Sequence, residues 1–241
     1  MQESKLSQGA WIAFGLIIGA GIFGGCYYSA QHLLTKDVLS VTGSAKTRVT
    51  SDQAKLTIAI SRVIPISQLA TGYTGVARDL SLVRTLLQKN SIADNAITES
   101  PVSMYQFYDS GNNAGETKYQ LTQTLTIQSE DVARITALSK EVPSLASQGA
   151  IVSVQSLEYY YSKLADLRVS LLSDAIKDAK ARAQKIAQGT GREVGSVQTA
   201  SSGVVQVLPV NSVDVADMGA YDTSAIEKEV MVTVKASFRL Q

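Results

Sequence analysis

Beyond residue 32 this chain has neither cysteine nor histidine: Cys26 and His32 are the only ones, and both lie close to the N-terminus. The rest of the chain can therefore form no intrachain disulfide and no thiolate metal site. It also lacks the imidazole needed for a Ser-His-Asp relay or a His-ligated zinc. An excess of one charge is missing too, with 22 basic side chains against 21 acidic ones. That balance argues against a nucleic-acid partner, which calls for a basic stripe. No P-loop spacing and no Ser-x-x-Lys occur, which removes the simplest phosphate cradle and one histidine-free nucleophile.

Charge is absent altogether from Leu6 to Thr35. Within that run the apolar side chains Trp11, Ile12, Phe14, Leu16, Ile17, Ile18, Ile22 and Phe23 lead to Tyr27 and Tyr28. Roughly 20 helical residues at about 1.5 Å rise cross a hydrocarbon layer of about 30 Å, and aromatic rings at both ends suit the headgroup level. Residues 10–34 read as a transmembrane anchor after a short tail, 1–9, with an extracytoplasmic domain at 38–241. A cleavable leader is the competing reading, as is lipidation at Cys26 after Phe23-Gly-Gly. Lys36, Lys46 and Arg48 follow the segment and only Lys5 precedes it, so charge alone leaves the orientation open, because large C-terminal domains translocate largely regardless of it. Gly15 and Gly19, with Gly21 and Gly25, form small-xxx-small spacings that suit close helix packing. Gly19 to Gly24 also satisfies a dinucleotide-binding pattern, but within a lipid-length apolar run it lacks the strand-to-helix setting that chemistry requires.

The domain reads as one unit large enough to bury a core. Val38 to Val63 alternates as a strand, with Leu56, Ile58 and Ile60 on one side and a bend or bulge at Gly43. After Pro65, residues Leu69, Tyr73, Val76, Leu80, Val83 and Leu87 recur at helical spacing, predicting a helix over 66–89 that stops at Asn90. Ile97 to Tyr108 and Lys118 to Gln128 form a long-looped hairpin around Asp109 to Glu116. Asp131 opens a short helix with Val132, Ile135, Leu138 and Val142 on one face and Pro143 near its end. A strand from Ala150 to Tyr160 precedes the longest helix, 163–188, whose inner side takes Leu164, Leu171, Leu172, Ala175, Ile176, Ala179, Ala183, Ile186 and Ala187. Gly189 and Gly191 cap it. Val197 to Leu208 is a strand broken at Ser201-Ser-Gly, and Glu229 to Leu240 alternates most clearly of all, as an antiparallel strand with one wet face. The order predicts an α+β fold of antiparallel sheets with packed helices and split βαβ character, behind one N-terminal transmembrane helix.

Val41-Thr-Gly-Ser-Ala, followed by Val49-Thr-Ser-Asp-Gln-Ala-Lys-Leu-Thr-Ile, resembles the opening of the SIMPL-domain family of bacterial periplasmic and cell-envelope proteins. The run from Leu86 to Thr98, the strand from Tyr119 to Ile127 and the helix and exit from Leu171 to Gly195 are similar to the family's later motifs, in the same order. Ala45, Ser51 and Asn90-Ser91 depart from its usual glycines and proline. The resemblance covers about Leu39 to Leu240 and implies a role in envelope maintenance or stress response, with no catalytic constellation to carry over.

Paired acids, Glu227 with Glu229 and Asp214 with Asp217, read as solvated charges rather than proton or cation sites. Tyr105, Phe107 and Tyr108, and again Tyr159, Tyr160 and Tyr161, offer broad contact area with a polar tip; strand filler and interface are both open for them. The leading expectation is a noncatalytic protein of the inner (plasma) membrane, single-pass, with its C-terminal domain in the periplasm or outside the cell. It needs no cofactor, metal or nucleic acid and self-associates into a homo-oligomer. The alternative is an extracytoplasmic module that binds a small molecule or peptide between the tyrosine strands and the Asp109 to Glu116 loop.

Overall fold

The computed structural model describes residues 37–107, 116–212 and 218–241. The expected anchor at 10–34, with its helix-packing glycines, lies outside the described residues, as do Tyr108, Asp214 and Asp217. Among the described residues no helix is long and apolar enough to cross a membrane.

The fold is α+β. The elements in chain order are β1 (Val38–Thr50), β2 (Gln53–Pro65), α1 (Leu69–Lys89), β3 (Ile97–Glu99), β4 (Ser103–Phe107), β5 (Lys118–Ser129), α2 (Val132–Glu141), β6 (Val152–Tyr160), α3 (Leu164–Gly189), β7 (Val194–Pro209), β8 (Ala220–Tyr221) and β9 (Glu227–Leu240). One sheet has the order β3-β5-β2-β6, with β4 also paired to β5, and the other has the order β1-β9-β7-β8. Two compact units emerge: the described part of one is 37–44, Asp174–Gly203 and Thr233–Gln241, and the other is Ala45–Ser173 with Val204–Val232. β1, α3, β7 and β9 contribute residues to both.

The larger unit holds the main core. β2 runs antiparallel between β5 and β6, with Leu56 opposite Ile127 and Leu157, and Ile58 opposite Leu125 and Val154. Alternation sends Leu56, Ile58, Ile60, Leu121, Leu125 and Ile127 to one face, where they are fully buried with Val76, Val83 and Leu87 of α1 and Ile135 and Leu138 of α2. Burying such a side chain contributes roughly 1.5–3 kcal/mol, so this face dominates the folding of the unit. Asp131 caps α2 by accepting from the Arg134 backbone N–H at 2.9 Å, which satisfies one orphan donor of the first turn. Asn90 ends α1, its side-chain amide donating to the Leu86 carbonyl. A further cluster in this unit joins Leu171 to Val207, Val230 and Val232.

In the smaller unit Val41, Ala179, Ala183, Ala236 and Phe238 are buried together. Gly43 makes this packing possible: a Cβ there would lie 2.2 Å from the Ala175 carbonyl oxygen and 2.4 Å from the Ala179 nitrogen. The glycine expected to mark a bend is therefore a contact point between strand and helix.

Three expectations are corrected. The stretch Val38 to Val63 is two strands, separated at Ser51 and Asp52 and assigned to different sheets. Alternation alone cannot see a turn that keeps the polar-apolar rhythm. Ile176 and Ile186 are exposed rather than inward, because the buried stripe of α3 recurs at every fourth residue, through Leu171, Ala175, Ala179, Ala183 and Ala187. Finally, β7 runs unbroken through Ser201-Ser-Gly. Gly203 lies so close to its neighbour that a Cβ would sit 2.2 Å from Thr233 Oγ1, so the glycine serves close strand approach.

Candidate functional site

Strand β4 is where apolar surface meets solvent. Ser100 to Val102, with Pro101 at its centre, separates β3 from β4, and each then pairs antiparallel with its own part of β5. Within β4, Met104 lies opposite Leu121 and so on the helix-covered side. Tyr105 lies opposite Gln120, which in turn faces Val63. Tyr105, Phe107 and Val63 thus share the face away from α1 and α2, and they are 66%, 39% and 46% exposed. Every residue of β4 is exposed, and among the described residues no strand lies beyond it.

The second aromatic group divides. Tyr159 is buried in the core, its hydroxyl 2.9 Å from Thr136 Oγ1, and is not available to a partner. The Tyr160 ring lies 6.0 Å from that of Tyr221; burial, with the nearby Glu158 carboxylate, pushes its phenol up. The half-buried Tyr161 donates its backbone N–H to the Tyr221 hydroxyl. The two groups do not converge: Tyr105 is in register with Val63 and Tyr160 with Gln53, opposite ends of β2 and roughly 33 Å apart at about 3.3 Å per residue. A single pocket between them is excluded by that spacing.

Sequence reasoning missed Lys228, which is fully buried at the start of β9. Its ammonium donates to the Asp222 carbonyl at 2.6 Å and lies 3.7 Å from the Asp222 carboxylate and 6.0 Å from the Tyr221 ring centre. Burial, the dominant influence, pulls its pKa down against that carboxylate. Burial also works against the Asp222 charge, yet donors at Ala225 and Ser224 and the Lys228 charge hold the carboxyl below its ordinary value. The segment above Lys228 is stitched at several points. Asp222 N–H donates to Val207, Tyr159 N–H to the Thr223 carbonyl, and Ser51 N–H to the Ile226 carbonyl. The signal was present, since Lys228 continues the inward series of Val230 and Val232 by one step.

The remaining candidates are modest. Glu227 accepts from Thr50 and Glu229 pairs with Lys46 at 3.0 Å. A polar cleft of about 370 Å³ holds the bidentate Arg84–Glu99 pair, whose hydrogen bonds hold the Glu99 carboxyl below its usual range. In the smaller unit an open groove of about 700 Å³ runs along Val41, Thr42, Ala181, Arg182, Lys185 and Ile186. Among the described residues no group of three or more His, Cys, Asp and Glu is placed to hold a metal ion.

Solved structures similar to part of this chain include two amidases of the hydantoinase/carbamoylase family. That from Burkholderia ambifaria shares 13% identity, over 47% of this chain and 29% of that one, with a TM-score of 0.24. That from Burkholderia multivorans shares 11%, over 52% and 30%, with a TM-score of 0.24. The chain spans about three-tenths of the length of these structures. No curated protein matches it. The match that covers most of the chain is to SIMPL, described as a protein of unknown function (DUF541), over residues 39–238, and the chain belongs to that family.

Proposed function

We propose that this chain is a noncatalytic, membrane-anchored envelope protein whose SIMPL domain self-associates into a homo-oligomer. The observation that carries the reading is β4, a short edge strand exposed along its whole length with Tyr105 and Phe107 on an uncovered sheet face. Exposed strand edges bearing aromatic side chains are ready-made pairing surfaces. The uncharged run from Leu6 to Thr35 supports tethering to the inner (plasma) membrane, with the domain in the periplasm or outside the cell. Tethering raises the effective concentration of copies confined to one plane, so weak contacts count. The absence of histidine and cysteine beyond residue 32 supports a role without chemistry, and envelope maintenance or stress response is the role family resemblance implies.

The test is the size of the full chain in mild detergent by light scattering. Wild type is expected to form a discrete oligomer, and Tyr105→Lys with Phe107→Lys to reduce it. A monodisperse monomer at high concentration overturns the reading.

A second reading, a module that binds a small molecule or peptide, is favoured by the groove along Val41 and Ile186. It predicts ligand-dependent stabilisation in a thermal-shift screen, and no response from envelope metabolites or peptides counts against it.

A further inference from the structure

The open groove of the smaller unit, about 700 Å³, carries charge that its fold does not require. Between Asp178 and Glu193 the only ionisable side chains are Lys180, Arg182, Lys185 and Arg192. Two of them have carboxylates of their own: Arg182 pairs with Asp178 and Arg192 with Asp37, each at 2.8 Å. Lys185, exposed in the groove, pairs with no carboxylate among the described residues. The helix dipole does not account for it, because the last turn of α3 holds no basic residue and the dipole's influence fades within that turn. Apolar surface adjoins this charge. Residues three and four apart on a helix are neighbours, so Arg182, Lys185 and Ile186 stand side by side, with Ile186 49% exposed and Val41 lining the groove from β1.

Connectivity decides what lies near the groove. The described chain starts at Asp37, which Arg192 holds beside the exit of α3 and whose carbonyl accepts the Leu240 N–H. Val41 follows four residues later. From residue 34, where the expected anchor ends, to Val41 the backbone spans at most about 25 Å even when fully extended. With residues 10–34 in a membrane, the groove is confined to that distance from its surface.

We propose that the groove between β1 and the last turns of α3 docks on anionic phospholipid headgroups of the bilayer that holds the chain's own N-terminal segment, Lys185 and Arg182 meeting the phosphates and Ile186 the acyl boundary. This rests on the reading that the chain is membrane-anchored. Attraction of lysine and arginine to an anionic bilayer decays within about a Debye length, so it counts only for groups held close, and the short tether holds these. Free phosphate would use the cations and leave Ile186 in water; a neutral peptide would use Ile186 and leave Lys185 without a counter-charge. A lipid surface uses both, as interfacial amphipathic segments do. An acidic protein segment offers similar chemistry, but the tether puts lipid within reach of every copy.

The experiment uses the full chain with Cys26→Ser, reconstituted into vesicles of phosphatidylcholine alone or mixed equally with phosphatidylglycerol. A fluorophore on Gln188→Cys, a position that also lines the groove, reports approach to lipid through quenching by nitroxide-labelled headgroups. Gln198→Cys, exposed on β7 and outside the groove, is the control. Quenching at position 188 is expected to be at least about twofold stronger in mixed vesicles than in phosphatidylcholine, and unchanged at 198. It should fall to the phosphatidylcholine level in about 1 M salt, where the Debye length is about 3 Å; this arm decides the matter even if further variants misfold. Lys185→Gln should remove about half of the gain, one of two cations, and Lys185→Arg should restore it. If the chain floats with neither vesicle, the anchoring reading fails and the proposal falls with it. If it floats with both and position 188 gains nothing from phosphatidylglycerol, anchoring stands and docking is wrong. Equal gains at 188 and 198, or a gain that survives both salt and Lys185→Gln, overturn recognition by the groove. Shielding of position 188 from iodide in neutral detergent assigns the groove to a second copy and overturns lipid as its occupant.

Discussion

Arg62 and Asp79 form a bidentate pair inside the larger unit, Arg62 Nε and Nη2 each 2.9 Å from a different carboxylate oxygen of Asp79. The Asp79 side chain is wholly buried and also accepts the Ile151 backbone N–H at 3.2 Å. One acid on α1 thereby ties helix, strand β2 and the start of β6 together. Gly75 leaves room for the guanidinium, since a Cβ there would lie 2.8 Å from Arg62 Nε.

Breaking this pair from one side should be costly and removing both sides should not. Asp79→Ala leaves a largely buried guanidinium and a backbone N–H without their acceptor, and is expected to lower unfolding stability by about 3 kcal/mol. The double variant Arg62→Met with Asp79→Leu replaces the pair with apolar volume and should recover most of that loss. Urea midpoints of the three proteins decide it; a double variant weaker than Asp79→Ala would show that the pair itself stabilises the fold.

Glycine positions give a second test because the structure separates two kinds. Gly43 faces the backbone of α3, which cannot move aside as a flexible side chain can, so Gly43→Ala should cost about 1–3 kcal/mol through overpacking. At Gly189 an added Cβ meets nothing within 4 Å, and Gly189→Ala should be neutral or stabilising by up to about 1 kcal/mol. Thermal melts of the two variants should move in different directions. Equal destabilisation would refute the close approach of β1 and α3.

Much of the fold was legible in the sequence because its elements obey simple periods. The inward rows Leu56, Ile58, Ile60 and Val230, Val232, Val234 and the capping residues Asp131 and Asn90 stand where alternation and capping rules place them. Pairing was not legible. Nothing local in Ser51-Asp52 announces that the chain leaves one sheet for another, and nothing in Ser201-Ser-Gly distinguishes a break from a close strand contact. The candidate surfaces split the same way. Tyr105 and Tyr159 both sit in aromatic runs, yet one lies on an edge strand and the other under α2, a difference made by neighbours far away in sequence. Asp79 and Lys228 were missed because each occupies an apolar position with a charged side chain, and only the partner explains why.

Acid should loosen the junction at Asp178. The Ser44 backbone N–H donates to this carboxylate at 2.8 Å and Arg182 pairs with it. That donor, then Arg182, holds the Asp178 pKa below the ordinary 3.8. A depressed carboxylate contributes stability that is present above 3.8 and lost as pH falls through the folded value. Asp178→Asn should therefore lose up to about 1 kcal/mol at neutral pH, a modest figure for a partly exposed pair. It should also show a flatter fall in stability below about pH 4. Equal acid slopes in the two proteins, measured by urea unfolding, would remove Asp178 from the acid response.

Lys228 makes the opposite prediction at alkaline pH. Its folded pKa lies below the 10.5 of an exposed lysine because burial disfavours the ammonium. The unfolded chain consequently binds more protons at this site, and stability from this group rises with pH between the folded value and 10.5. Lys228→Met removes the titration while keeping most of the buried volume. Subtracting its stability from that of wild type cancels the titrations that do not involve Lys228, and Asp222, held below the ordinary 3.8, stays ionised throughout the alkaline window. The difference should shift in favour of wild type as pH rises from about 7 toward 10.5. A difference independent of pH would mean that the ammonium reaches solvent in the native state and that the segment from Tyr221 to Ile226 does not seal it.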